Sequence, residues 1–242
     1  MDLPAQPART LHWAGIDDPG RRDSAVVSFR ESELAASGTS TCDEYCATWS
    51  LSTSPGWVTR RLEVKVTGDG WTRSLELTRS VDGRWDSHVT VTGTVDLPAP
   101  GIEDPRSLDN AQDCDLGLCP LTNTMPILRL DLLNSSAPPD ETRLTMAWVE
   151  MPSLRVVASE QVYSQVSPYR EERGSAIVLY SSDSRGFTAE LTVDSDGVVL
   201  DYPGLAHRSA SGSTPAVRDR QGLSSPAARI EVRPSATLEP PQ

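Results

Sequence analysis

Alternation with period two runs through most of this chain. Leu62 to Val66 (LEVKV) and Val89 to Val95 (VTVTGTV) repeat apolar or β-branched positions every second residue, the mark of a strand with one buried face. The stretches SAVVSF, YCATWSL, SLELT, RLTMAWV, LRVVASEQVYSQV, SAIVLY, FTAELTV and VVLDY are rich in β-branched or aromatic residues and stop at turn residues. The pattern predicts a mainly β protein with about ten strand candidates and at most one good helix. Asp82-Gly83 and Asp196-Gly197 read as tight hairpin turns of type I′, since glycine accepts the positive φ such turns need.

The residues from Leu62 to Trp85 align without a gap on those from Ala176 to Val199. Glu76-Leu77-Thr78 falls on Glu190-Leu191-Thr192, and the two Asp-Gly turns coincide. Both stretches read strand, turn, strand, turn, strand, either as a duplicated unit or as convergent hairpin chemistry. Between them lies CPLTNTMPILRL (Cys119 to Leu130). Asn123 or Thr124 suits an N-cap, and Pro126 suits a first helical turn. Leu121, Met125, Leu128 and Leu132 share one helical face. A strand reading competes, because Leu128, Leu130 and Leu132 alternate with Arg129 and Asp131. The expectation is a short helix from about Asn123, with strand pattern taking over toward Leu133. A sheet curled round that helix is expected to leave a hollow, apolar interior.

Two segments read as loose and dispensable for the core: the Pro-rich stretch from Pro98 to Gln112, and the Ser/Pro/Ala-rich tail from Ser209 to Gln242. Residues 1–10 read as a flexible start. The net charge of −12 argues against nucleic acid and anionic membrane surfaces as partners, since both reward basic patches and the sequence shows no basic run. The opening, MDLPAQPARTLHW, has no apolar core of an export signal, and no apolar run reaches the ~18 residues of a membrane span. The expectation is a cytoplasmic chain with no stable membrane anchor. Cys42-x3-Cys46 and Cys114-x4-Cys119 are spaced more widely than the usual zinc hook and read as ordinary thiols. No metal or cofactor is predicted. Asp194 to Gly197 (DSDG) begins like a calcium loop but lacks the distal glutamate, and reads as a hairpin turn.

Five motifs, in order, carry a family resemblance: Asp113 to Gly117 (DCDLG), Thr122 to Ile127 (TNTMPI), Ala147 to Val149 (AWV), Gln161 to Tyr163 (QVY) and Asp201 to Leu205 (DYPGL). GWVTRRLEV from Gly56 and LHWAGIDDPG from Leu11 extend it. Together they resemble the bacterial family named "putative glycolipid-binding", formerly a domain of unknown function, over about residues 11–208. The resemblance implies a spiral β-roll, a curled antiparallel sheet of roughly ten to fifteen strands wrapped round a single short helix, often dimeric and shaped like lipoprotein carriers. Cys119 and Met125 depart from the family's threonine and leucine, and the stretch 98–112 reads as an insertion.

Candidate site residues follow from both readings. Trp57, Trp85, Trp148, Tyr163 and Tyr202 are able to line a lipid or sugar site or simply fill the core. Arg60 and Arg129 suit a polar, especially phosphorylated, headgroup, or else ion pairs with Asp113, Asp115 or Asp131. Thr122, Asn123 and Thr124 suit headgroup hydroxyls or helix capping. The function expected is non-enzymatic binding of an amphiphile, a glycolipid or other acyl-bearing molecule, inside the roll. The alternatives are an enzyme using Asp113 and Asp115 in the same space, and a structural homodimer with a filled core. There is no Gly-x-Ser-x-Gly elbow to support nucleophilic catalysis.

Overall fold

Among the described residues fifteen strands make one sheet: β1 (Arg9–Gly15), β2 (Arg22–Arg30), β3 (Glu33–Thr41), β4 (Tyr45–Ser54), β5 (Val58–Gly68), β6 (Trp71–Arg79), β7 (Trp85–Gly93), β8 (Gly101–Ile102), β9 (Asp113–Leu116), β10 (Thr142–Val149), β11 (Arg155–Arg170), β12 (Ser175–Ser182), β13 (Phe187–Val193), β14 (Val199–Tyr202) and β15 (Ala206–Arg208). The computed structural model describes residues 7–135, 140–183 and 186–209. The tail beyond Ser209 lies outside them.

Neighbouring strands run β7-β6-β5-β4-β3-β2-β1-β15-β14-β13-β12-β11-β10-β9. Two meanders therefore meet where the first strand pairs with the last, with Trp13 opposite Arg208 and Gly15 opposite Ala206. All pairings are antiparallel except β9 on β10 and β8 on β11. Burial alternates as the period-two pattern requires: along β4, Tyr45, Ala47, Trp49, Leu51 and Thr53 face inward. The indole of Trp13 pins β1 to β14 by donating to the carbonyl of Val199 at 2.9 Å.

The sheet curls until β5 reaches β9. Thr59 joins them: its amide donates to the carbonyl of Gln112 and its hydroxyl accepts from the amide of Cys114, each at 3.0 Å. Inside the curl a 3-10 turn (Pro120–Asn123) runs directly into α1 (Thr124–Arg129). Leu121 and Met125 enter the apolar cluster under β1–β6, while Ile127 and Leu132 enter the one under β11–β14. The helix thus joins the two halves of the core. No hollow surrounds it, because Leu121, Met125 and Ile127 are all fully buried by the chain's own residues. The predicted return to strand near Leu133 does not occur. Leu130 to Asn134 turns instead, with Asp131 at φ +57°, which breaks any extended run.

The two Asp-Gly turns differ from the I′ expectation. In each, only the glycine has positive φ, Gly83 at +88° and Gly197 at +73°. A backbone bond spans three residues to each glycine, from Gly83 N to Ser80 O and from Gly197 N to Asp194 O. Such loops combine an ordinary turn with a left-handed glycine. Gly197 has a second constraint, since a Cβ there would stand 3.1 Å from Leu128 of α1. Asp194 closes its turn with Oδ1, which accepts from the amides of Asp196 and Val198, and gives Oδ2 to Arg9 and Arg208.

The stretch 98–112 is not a loose loop. It forms β8 and a 3-10 turn (Pro105–Leu108), and buries Leu108 and Ala111 completely. The carbonyl of Ala111 accepts from the indole of Trp85 and from Arg79, both at 3.0 Å. Leu108→Ala is expected to lower unfolding free energy by about 2–5 kcal/mol, the usual cost of a core cavity. Val81→Ala, at a fully exposed position, should leave the urea midpoint unchanged. Equal midpoints for the two variants would show that the strap does not stabilise the core.

Candidate functional site

The site begins on β9, where Asp113 and Asp115 stand two residues apart and all four strand residues are buried. Two carboxylates under a sheet require compensation, because an ionised group loses several kcal/mol of hydration there. Arg129, at the end of α1, meets Asp113 with a two-pronged fork, Nη1 to Oδ1 and Nη2 to Oδ2, each at 2.5 Å. Burial pushes the Asp113 carboxyl up from its ordinary value, and the guanidinium pulls it back. Asp115 is held at both oxygens. Gln161 Nε2 donates to Oδ2 at 2.6 Å, and the hydroxyl of Thr122 lies 3.0 Å from Oδ1 and 2.9 Å from the carbonyl of Cys119.

The network continues inward. The Tyr163 hydroxyl donates to Asn123 Oδ1 at 2.9 Å and lies 3.1 Å from Gln161 Oε1. Burial drives that phenol well above its ordinary range, so it stays a donor. Asn123 occupies the expected N-cap position of α1 but makes no side-chain capping bond, because its backbone is already helical (φ −66°, ψ −20°) and its side-chain oxygen accepts from Tyr163. Thr124 donates to the carbonyl of Gly197 at 3.2 Å, which seats α1 on the β13–β14 turn.

Beside this network opens a cavity of about 420 Å³. Its apolar wall comes from the β9–α1 connection (Leu116, Gly117, Leu118) and from the rings of Trp148, Phe187 and Tyr202. Asp115, Asn123 and Glu150 present the polar groups. Tyr202 meets Tyr180 edge-on and Phe187 at a tilt, each at 5.8 Å between centroids, and Tyr180 meets Tyr163 edge-on at 5.3 Å. One aromatic chain thus leads from the cavity wall into the core. Leu118 sits at φ +65°, a left-handed conformation rare for leucine. Cys119 also lines the cavity, and burial raises its thiol well above the usual range, as it raises Cys114 to about 12.

Of the predicted site residues, Asn123, Trp148 and Tyr202 line the cavity, and Thr122 and Tyr163 lie one hydrogen bond behind it. Arg129 and Thr124 brace the helix. Three others are elsewhere: Trp85 is spent on Ala111, Trp57 packs edge-on against Phe29 at 6.2 Å, and Arg60 lies on the outer end of β5 against Ser52. Sequence reasoning missed Glu150, Met151, Phe187 and Leu205 as lining residues. The one available signal was the apolar LGLCP run straight after the two aspartates. Cys42, Cys46, Cys114 and Cys119 are all free thiols.

A curled, mainly antiparallel sheet round one short helix among the described residues, with a cavity beside it, defines the class. The family model described as "Putative glycolipid-binding" matches residues 10–208, and the chain belongs to that family. Its fold is similar to the crystal structure of a DUF1089 family protein from Pseudomonas aeruginosa, with a TM-score of 0.57 and 23% identity over 77% of this chain and 91% of that one. No curated protein matches it. No helix among the described residues is long and apolar enough to cross a membrane.

Arg129→Met is expected to destabilise the protein by about 3–5 kcal/mol at neutral pH, since it strands a buried carboxylate. Without that guanidinium burial still pushes Asp113 up, and of the opposing charges only Arg79 is left, so its folded pKa stands above its unfolded one. Stability is then retained below the unfolded pKa and lost as pH rises through the folded one. The deficit should shrink on acidification, and Asp113→Asn in the same chain should recover part of it. A deficit independent of pH in urea titrations would contradict the pairing.

Proposed function

We propose that this protein binds an amphiphile, a glycolipid or another molecule joining a hydroxyl-rich head to an apolar chain, in the cavity beside β9. The observation that carries the reading is the lining. Aromatic faces and aliphatic side chains stand opposite Asp115, Asn123 and Glu150, and the cavity's volume falls in the range of small-molecule sites. Sugar hydroxyls donate well to carboxylate and amide oxygens, and the apolar face of a sugar or an acyl segment packs on rings. Asp115 is pre-oriented by Gln161 and Thr122, so it can accept a hydroxyl without first reorganising.

The strained backbone of Leu118 supports the same place, because costly conformations persist where surrounding structure holds them for a purpose. Binding would occur at one end of the roll, not around the helix, where the core is filled. The family's name points the same way. Four free thiols suit a reducing compartment, and a cytosolic carrier or sensor is the setting we infer.

The enzyme alternative has one observation in its favour, two inward-facing carboxylates on one strand. Asp113 is nevertheless closed off by Arg129, which leaves Asp115 as the β9 carboxylate on the cavity. Binding is the better account.

Trp148→Ala is expected to weaken binding of an alkyl glucoside, titrated below its micelle concentration, by about tenfold, the scale of a buried aromatic contact. Asp115→Asn should weaken the glucoside more than it weakens the matching alkyl alcohol. If calorimetry gave equal affinity for wild type and both variants, the ligand site would lie elsewhere.

A further inference from the structure

A second recess of about 800 Å³ opens at the ends of β2–β6 and shares no lining residue with the cavity beside β9. Arg30, Arg60 and Arg79 all line it. They come from three different strands, so the curl of the sheet, not local sequence, brings them together. Arg60 is exposed and its polar partner is the neutral hydroxyl of Ser52, at 3.3 Å. Arg79 gives Nε to the carbonyl of Ala111.

Among the described residues, none of the three makes a direct ion pair with a carboxylate, although Asp113 lies within electrostatic reach of Arg79. Eight other arginines, Arg9, Arg21, Arg61, Arg84, Arg129, Arg143, Arg155 and Arg208, each have an acidic partner, while Arg22 and Arg73 spend their guanidiniums on backbone carbonyls; what sets Arg30, Arg60 and Arg79 apart is that they line one recess. In a chain with 34 acids and 22 bases, acidic partners are abundant. Glu33 also lines the recess, yet it makes no ion pair with these arginines, although it stands opposite Arg30 in the β2–β3 register. Three guanidiniums facing one concavity repel one another, and an anion seated between them would relieve that repulsion. The planar forks match phosphate oxygens better than a single point charge would. Ser28, Ser52 and Ser54 add hydroxyls to the same walls, and Phe29 and Leu34 form an apolar floor.

We propose that this recess is a second binding site, for a phosphate group borne on a small organic molecule or on a lipid head. The assignment is independent of the amphiphile cavity. Arg79 also braces the strap through Ala111, so the test uses Arg30 and Arg60, which are exposed and hold no structural bond beyond Ser52.

The full chain is titrated calorimetrically with inorganic phosphate and with glycerol 3-phosphate, and sedimented with phosphatidylglycerol or phosphatidylcholine vesicles. The expected result is saturable binding of a phosphate-bearing probe, weakened at least about tenfold by R30E/R60E, the scale of charged hydrogen bonds, and reduced by added salt. Soluble phosphates binding alone would assign a free phosphate ligand. Binding confined to phosphatidylglycerol vesicles, and lost in R30E/R60E, would assign a lipid head. No saturable binding of any probe overturns the proposal. So does binding that R30E/R60E leaves unchanged while thermal melting shows the variant folded.

Discussion

The interior of this protein is organised by the need to neutralise two carboxylates that β9 carries beneath the sheet. Asp113 takes the guanidinium fork of Arg129, and Asp115 takes Gln161 and Thr122. Those partners come from α1, from β11 and from the turn before the helix. Satisfying the pair therefore fixes where the helix lies and how closely β11 approaches it. Breaking such a buried pair is far more costly than never having had it, so the arrangement specifies one packing among many apolar alternatives.

The cavity follows from the same constraint. Asp115, held by Gln161 and Thr122, also lines the cavity that opens beside the helix. The helix fills the rest, with Leu121 and Met125 packed to one side and Ile127 and Leu132 to the other. A roll wrapped round a helix is thus solid along the helix and open beside it. Trp148, Phe187 and Tyr202 line that opening from three separate strands. The basic recess at the far ends of β2–β6 arises separately, from strand ends that converge as the sheet curls.

Much of the fold was legible in the chain. Alternation located the strands, because a half-buried strand must place apolar residues at every second position. The TNTMP segment announced the helix, and the motifs around it announced the family. The turn chemistry was half legible: the glycines had to be left-handed, but the aspartates before them did not. The strap from Pro98 to Gln112 misled, since its prolines and acids lack periodicity while Leu108 and Ala111 still reach the core. Two isolated anchors leave no repeating pattern to find.

Local sequence determined strand, turn and helix type, because these depend on neighbours within a few residues. It also marked Asp113, Asp115, Asn123 and the aromatics as chemically notable. Only tertiary structure decided their partners. Asp115 meets Gln161 across 46 residues, Arg9 meets Asp194 across 185, and Arg30, Arg60 and Arg79 share one recess. Such meetings depend on how far the sheet curls and where its first and last strands pair. Those quantities are set by the packing of the whole core, which no short stretch of residues contains.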